Sequence, residues 1–250
     1  MNFKTKLKNY HSASYSALFV TTHEERRVTK EIRQYSMDTP GVNIHEWDCQ
    51  NGLHWVSGDN ETAHPDLTNP LKLLEYLQSL PEENSIFILK DFHRHINDAL
   101  IVRMLRNSWL PFKSRGNLLL MTGYKYSVQP ELEKEIQLLD YELPGVEHIK
   151  KQLQFIVASV NHAIRANNPR AVDVVLPPDV EEKAIEAARG MTSFEIENAF
   201  ALAYAENNAF DARFVDSVFD EKISQLKKDG LLTYLSSDVS FENVGGMNVL

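Results

Sequence analysis

Short apolar runs alternate with helical patterns through the first two thirds of the chain. Five runs have the length and the apolar, β-branched or aromatic content that predicts β-strands, and they span residues 17–21, 42–47, 85–89, 118–122 and 137–141. Between them, apolar residues at helical spacing predict helices over 24–37, 69–80 and 97–109, and residues 51–68 have the composition of a loop. Apolar strands separated by helices are typical of a parallel sheet covered on both faces, so this part is predicted to be α/β.

The pattern changes after Pro144. A helical periodicity covers residues 146–166, and breaks follow at 167–169 and 176–178. Three further helices are predicted, ending at Arg189, running from about Ser193 to 206, and running from 211 to 228. Thr192 and Glu195 have the spacing of a capping box, in which each residue satisfies a backbone N–H of the other. The second part is therefore predicted to be a small all-helical domain.

These changes of pattern divide the chain into four segments. We predict an α/β core over residues 1–145, a connecting helix and loop over 146–175, a helical domain over 176–235 and a linker over 236–250. The chain has 250 residues, which is enough for one large domain or two small ones.

Composition narrows the possible classes of protein. No apolar run approaches the roughly 20 residues that cross a bilayer, so we expect no membrane segment. The basic N-terminus is followed by a polar segment, so we expect no signal peptide and a cytoplasmic location. The single cysteine, Cys49, excludes an internal disulfide and is interpreted as a buried structural thiol. A net charge of −9 argues against nonspecific nucleic-acid binding as the main activity.

Three motifs occur in an order that resembles a known family. Residues 86–91 read Ile-Phe-Ile-Leu-Lys-Asp, residues 190–199 read Gly-Met-Thr-Ser-Phe-Glu-Ile-Glu-Asn-Ala, and residues 241–250 follow the pattern F-x-x-V-G-G-h-x-x-L. Together they resemble AAA-type ATPases, which have a P-loop-like α/β core followed by a helical lid. The chain is most similar to the AAA proteins of cyanobacteria, chloroplast genomes and their viruses, which carry a degenerate AAA-like domain before the active one.

The resemblance implies roles for particular positions. Lys90 and Asp91 stand where the family carries the acidic pair at the end of a strand, and Thr122 stands at the sensor position of the next strand. The fold implied is a parallel P-loop-NTPase-like (AAA) sheet with flanking helices, followed by a small all-helical lid. Residues 236–250 would lead into a catalytic AAA domain that binds ATP and Mg²⁺. The implied partners are that downstream domain, neighbouring subunits of a ring and a protein client.

The phosphate-binding motif of the family is absent from this chain. A working loop has the pattern G-x-x-x-x-G-K-(S/T) after the first strand, whereas the residues after Val20 read Thr-Thr-His-Glu-Glu-Arg-Arg. Glu24 and Glu25 at the start of the next helix would repel a triphosphate. If Lys90 and Asp91 are aligned with the acidic pair of the family, Lys90 replaces the aspartate that holds Mg²⁺. If the alignment is shifted by one residue, Asp91 is that aspartate but Phe92 replaces the catalytic glutamate. In either alignment one of the two acids needed for phosphoryl transfer is missing. The chain is therefore predicted to be noncatalytic, with no cofactor of its own.

Two other interpretations remain open. Asp91, His93 and His95 alternate along one segment, so the alternative function is a small stand-alone hydrolase that uses these residues to bind a divalent metal. Polar residues at a strand end and the following turn are the simpler interpretation. Basic and aromatic residues on both sides of the strand at 118–122 could hold single-stranded nucleic acid, although a solvated rim is favoured at this net charge: Phe112, Lys113, Arg115, Tyr124, Lys125, Tyr126.

Overall fold

The computed structural model describes residues 2–56, 63–81 and 83–228, and these form two compact units. The division falls between Glu142 and Leu143. The linker predicted over residues 236–250 lies outside the described residues. The three boundaries between the four predicted segments stay predictions.

The first unit is an α/β sheet with helices on both faces. Its strands are β1 (Ala17–Thr21), β2 (Asn43–Asp48), β3 (Gly52–Trp55), β4 (Ala63–His64), β5 (Ser85–Lys90), β6 (Leu118–Gly123) and β7 (Gln137–Asp140). Its helices are α1 (Phe3–Ser12), α2 (Glu25–Met37), α3 (Pro70–Ser79) and α4 (Ala99–Arg115), with a one-turn 3₁₀ helix over Phe92–His95. The strand order is β4-β3-β2-β5-β6-β1-β7, and the five strands β2, β5, β6, β1 and β7 are parallel. The predicted parallel α/β fold is confirmed.

Two apolar layers cover the two faces of this sheet. One contains alternate strand residues such as Phe19, Phe87 and Leu119 together with residues of α3 and α4. The other contains the intervening strand residues, such as Leu18 and Ile86, together with residues of α1 and α2. Because successive side chains of a strand point to opposite faces, strands that are apolar throughout supply both layers.

The loop predicted over residues 51–68 is wrong in part, because it contains β3 and β4. Strand β3 returns antiparallel to β2 after a turn in which Asp48 Oδ1 accepts hydrogen bonds from the backbone N–H groups of Gln50 and Asn51. Gly52 follows at φ +76, and a Cβ there would lie 2.3 Å from the carbonyl oxygen of His64. These strands are too short to establish an alternating pattern among their many turn residues.

Helix α1 and the end of α4 also differ from the sequence patterns. Helix α1, which the sequence patterns did not predict, buries Phe3, Leu7 and His11 on one face. The His11 ring nitrogens lie 3.1 Å from the Tyr35 hydroxyl and 3.1 Å from the Gly116 carbonyl oxygen, so the ring joins three segments. Helix α4 continues beyond the predicted end at residue 109, through a proline, to Arg115.

The second unit is a helical bundle of α5 (Val146–Asn167), α6 (Pro178–Ala188), α7 (Ser193–Asn207) and α8 (Ala212–Lys228). The segment predicted as a connection supplies its first helix, whose Ile149 and Leu153 pack in the apolar core of the bundle. The capping box is confirmed, since the side chains of Thr192 and Glu195 each accept a hydrogen bond from the other's backbone N–H. In the part of the chain that the structure describes, no helix has the length and hydropathy required to cross a membrane.

Candidate functional site

The carboxyl ends of the parallel strands meet at one edge of the sheet. In open α/β sheets ligands bind in the crevice outside these ends. Lys90 at the end of β5 and Thr122 at the end of β6 are direct neighbours in the strand register, as the predicted assignment of both to strand ends requires. Asp91 follows Lys90 and donates its backbone N–H to the Thr122 carbonyl oxygen at 3.0 Å.

Two backbone donors of the turn after β1 are already bound within the protein. The N–H of Thr22 donates to the Gly123 carbonyl oxygen at 2.8 Å, and the N–H of Glu24 donates to the Thr22 hydroxyl at 2.8 Å. Glu24 directly precedes α2, and its buried carboxylate forms an ion pair with Arg27 in the first turn of that helix. In a phosphate loop such N–H groups point at the ligand.

A salt-bridge network connects this turn with the ends of β2 and β5. The Lys90 ammonium lies 3.2 Å from a Glu46 carboxylate oxygen and 3.6 Å from a Glu25 carboxylate oxygen. The other Glu46 oxygen accepts from the Arg33 guanidinium at 2.8 Å. Burial raises the pKa of Glu25, and the positive charge of Lys90 opposes that shift. The Lys90 ammonium is therefore held between two carboxylates at this edge of the sheet.

A second network surrounds Arg27 on the opposite side of α2. Its guanidinium donates to the Tyr141 hydroxyl at 2.8 Å and also to the Glu142 carbonyl oxygen. The Tyr141 hydroxyl in turn donates to a Glu31 carboxylate oxygen at 2.6 Å. Burial and this hydrogen bond raise the pKa of Tyr141, so the hydroxyl stays protonated. Arg27 thus fixes the segment that leaves β7 against the helix that follows β1.

The proposed metal ligands do not converge. Asp91 is exposed at φ +52 and faces Arg94. The ring of His93 packs against Phe19, whereas the ring of His95 packs against Trp47 and Phe92. Burial lowers the pKa of both histidines. Over residues 2–56, 63–81 and 83–228 no group of three or more His, Cys, Asp and Glu side chains could hold a metal ion, so the geometry does not support the metal-hydrolase alternative.

Two polar atoms near the same edge are buried without hydrogen-bond partners among the described residues. They are the Thr122 hydroxyl and Nδ1 of His93. Gly123 lies beside the His93 ring, and a Cβ at that glycine would lie 2.6 Å from two ring atoms. The absence of a side chain at Gly123 is what lets the ring pack against the end of β6.

Two other sequence interpretations need correction. Cys49 is exposed, so it is not the buried structural thiol that was expected; it follows β2 in the turn to β3. The basic and aromatic residues considered for nucleic acid fall into two groups at opposite ends of β6, about 20 Å apart for six strand residues. Phe112 is buried in the core and cannot stack on a base.

Glu46 is the residue of the network that sequence reasoning missed. It lies in β2 and is 7% exposed, although a glutamate in that strand gives only a weak signal. Its partners come from α2 and β5, and it meets Lys90 because β2 pairs with β5 in the sheet. The position of Glu46 between the aromatic residues His45 and Trp47 in a predicted strand was the available hint, since a glutamate is seldom buried unless paired.

The parallel sheet with this strand order, followed by a helical bundle, defines the class of AAA and related P-loop ATPase domains. Residues 3–141 match the family described as "SpoVK-like AAA ATPase, N-terminal domain", and residues 149–229 match "SpoVK-like AAA ATPase, second domain". The chain belongs to the SpoVK-like AAA ATPase family. The resemblance stated from the motifs is thereby confirmed.

Known relatives agree with this assignment. The chain is 25% identical over 251 aligned residues to the "Uncharacterized AAA domain-containing protein ycf46" of Guillardia theta, and 26% identical to the protein of the same description from Trieres chinensis. These alignments cover 100% of this chain but 47% and 48% of the relatives. The chain therefore spans about half the length of the curated relatives it matches.

Solved structures show the same fold at low sequence identity. The RuvB Holliday junction branch migration motor of Thermotoga maritima matches with a TM-score of 0.52 at 14% identity, over 92% of this chain and 70% of that chain. Domain III of the replication initiation protein DnaA of Thermotoga maritima matches with a TM-score of 0.52 at 13% identity, over 87% and 90%. The predicted AAA-type fold is confirmed by these neighbours.

Proposed function

We propose that this chain is a noncatalytic AAA-like module that serves as an adaptor and assembly platform for an ATP-hydrolysing domain in the same protein. The observation that carries the proposal is the Lys90–Glu46–Glu25 network at the edge of the sheet where AAA proteins bind nucleotide. Lys90 takes the place of the acidic residue that would hold Mg²⁺, and the carboxylates at the start of α2 take the place of a phosphate loop. Because of these charges, the residues do not fit a nucleoside triphosphate with its Mg²⁺ ion.

The comparisons support the part of the proposal that concerns an ATP-hydrolysing domain in the same protein. The matched descriptions are those of the first two domains of an AAA ATPase, and the curated relatives are about twice as long as this chain. ATP and Mg²⁺ would then be bound by the domain that follows in the whole protein. The ring oligomer, the contacts with neighbouring subunits, the protein client and the cytoplasmic location predicted from the sequence are parts of the same proposal.

The test uses a full-length relative, the ycf46 protein of Guillardia theta, which this chain matches over 47% of its length. ATP hydrolysis and oligomeric state are measured for the whole protein and for a form without the matched half. We expect the truncated form to lose assembly, and with it most of its ATP hydrolysis, while the matched half alone hydrolyses none. Full assembly and full hydrolysis without the matched half would contradict the platform role, and ATP hydrolysis by the matched half would contradict the noncatalytic role.

A further inference from the structure

One stripe of helix α4 forms the wall of a groove that no part of the proposed function uses. Two cavities of about 320 and 330 Å³ follow one another along this helix. The first is lined by Val102, Arg103 and Arg106, and the second by Trp109 and Lys113. At 100° per residue all these positions fall within one third of the helix circumference, so the two cavities lie one after the other along the same stripe of the helix. We call the surface made by this stripe and its two cavities the α4 groove.

The opposite wall and the ends of the α4 groove come from neighbouring segments. Glu131 lines the first cavity, and Glu135 lines the second, together with residues 13–16 of the turn before β1. At one end Gln129 donates to the side-chain oxygen of Asn97 at 3.0 Å. From Ala99 to Lys113 the helix advances about 21 Å, which an extended peptide of about six residues would span.

Helix α4 is basic in an acidic protein. Its 17 residues include Arg103, Arg106, Lys113 and Arg115 and no Asp or Glu, whereas the whole chain has a net charge of −9. Arg103 and Lys113 are exposed and form no ion pair with any of the described residues. About ten residues separate them, so the two charges lie near opposite ends of the groove.

Apolar side chains lie between these two charges. Leu110 belongs to the same stripe of the helix and is 77% exposed, and Tyr15 on the facing turn is 42% exposed. Trp109 is half-buried with its indole N–H turned to the facing wall. A surface with exposed apolar residues between cations fits a ligand that has apolar residues between acids.

Glu135 shows how an acidic side chain binds in this groove. One of its carboxylate oxygens accepts the Trp109 indole N–H at 2.5 Å, and the other lies 3.4 Å from the Arg106 guanidinium. A carboxylate of a bound segment can make the equivalent contacts with Arg103 or Lys113, which have no such partner. The carboxylates of Glu131 and Glu135 on the facing wall repel a nucleic acid, whose phosphates are continuous, whereas a peptide can confine its acids to the positions of Arg103 and Lys113.

We infer that the α4 groove is a docking site for an acidic segment of a partner protein, with leucine or aromatic residues between its acids. The α4 groove shares no residue with the Lys90 network, and the inference does not depend on whether the chain binds ATP. In the adaptor role proposed above, the α4 groove would be the surface that contacts the partner protein.

The test selects ligands and then perturbs the groove. A phage-displayed library of random peptides of about twelve residues, long enough to fill the groove, is panned against the whole chain. Enriched peptides are synthesised with a fluorescent label, and their Kd is measured by anisotropy. We expect acidic peptides with leucine or aromatic residues to be enriched. We also expect the double variant Arg103→Gln, Lys113→Gln to weaken their binding about tenfold or more.

Two further variants separate docking from damage to the fold. Lys8→Gln, Lys30→Gln removes the same charge from exposed positions of α1 and α2 and should leave the Kd unchanged. Glu135→Gln removes the internal competitor for Arg106 and Trp109 and should tighten binding severalfold, which a damaged fold would not do. The inference is overturned if no acidic peptides are enriched, if both double variants weaken binding equally, or if single-stranded DNA competes for the groove more strongly than the peptides do.

Discussion

Removing the charge of Lys90 should destabilise the first unit well beyond the loss of an ordinary surface salt bridge. The substitution Lys90→Met keeps an unbranched side chain of nearly the same length and removes the cation between Glu46 and Glu25. Glu46 is 7% exposed, so its carboxylate cannot be solvated in compensation. Removing one partner of a buried ion pair costs about 3–5 kcal/mol.

The expected cost of Lys90→Met is smaller than this, for two structural reasons. The Lys90 side chain is 23% exposed, and Glu46 keeps the Arg33 guanidinium at 2.8 Å, so part of the charge stays neutralised. The contact with Glu25, whose side chain is 40% exposed, adds less than about 1 kcal/mol. We therefore expect Lys90→Met to lower the free energy of unfolding by about 2 kcal/mol.

The assay is urea denaturation followed by tryptophan fluorescence. All three tryptophans, Trp47, Trp55 and Trp109, belong to the first unit, so the signal reports the unfolding of that unit. Lys4→Met is the matched control, because Lys4 forms an exposed pair with Asp38 that solvent screens, so its loss should have little effect on stability. A double-mutant cycle with Glu46→Gln should give a coupling energy of at least about 1 kcal/mol. Equal effects of the two lysine substitutions, or no coupling to Glu46, would refute the reasoning.

Three other predictions concern pH, packing and capping. Burial lowers the pKa of His45 from 6.5 to about 4, so the folded state holds it neutral while the unfolded chain takes up a proton below 6.5. His45 alone should therefore account for about 2 kcal/mol of the stability that the first unit loses between pH 7 and pH 5, and His45→Gln should lose correspondingly less over the same range in urea titrations. Gly123→Ala places a Cβ 2.6 Å from the His93 ring and should cost about 1–3 kcal/mol, a cost that His93→Ala in the same chain should relieve when both variants are unfolded in urea. Thr192→Ala removes the cap of α7 and should lower the free energy of unfolding of the second unit by about 1 kcal/mol, as measured by circular dichroism, while the tryptophan signal of the first unit stays unchanged. Glu195→Gln retains a hydrogen-bonding side chain, so an equal loss in that variant would contradict the role of the cap.

The sequence predicted the elements whose signal is local. Strands such as residues 85–89 and 118–122 are apolar throughout, and the Thr192 cap depends on residues three apart, so neither requires knowledge of the fold. Lys90 and Thr122 were predicted only as residues at strand ends, and their direct adjacency follows from the pairing of β5 with β6. Helix α1 escaped prediction because one of its three buried positions is His11, whose partners lie 24 and 105 residues away.

The site itself could be predicted only in part. The missing phosphate loop is visible in the sequence, but what replaces it is not. Glu46 meets Lys90 only through the pairing of β2 with β5, and Arg33 reaches the same carboxylate from a helix. The divergence of His93 and His95 depends on the 3₁₀ turn over Phe92–His95, whose packing against Trp47 and Phe19 no local pattern specifies.

Nucleotide binding by this chain is the most direct test of the account. A fluorescent ATP analogue is titrated with the purified chain in the presence of Mg²⁺, and Lys90→Asp, which restores an acid at the end of β5, is titrated beside it. Because Glu24 and Glu25 remain at the start of α2, the account predicts no saturable binding by either form at concentrations up to about 1 mM. Binding with a Kd in the micromolar range, displaced by unlabelled ATP, would contradict the claim that the protein's own charges occupy the nucleotide position.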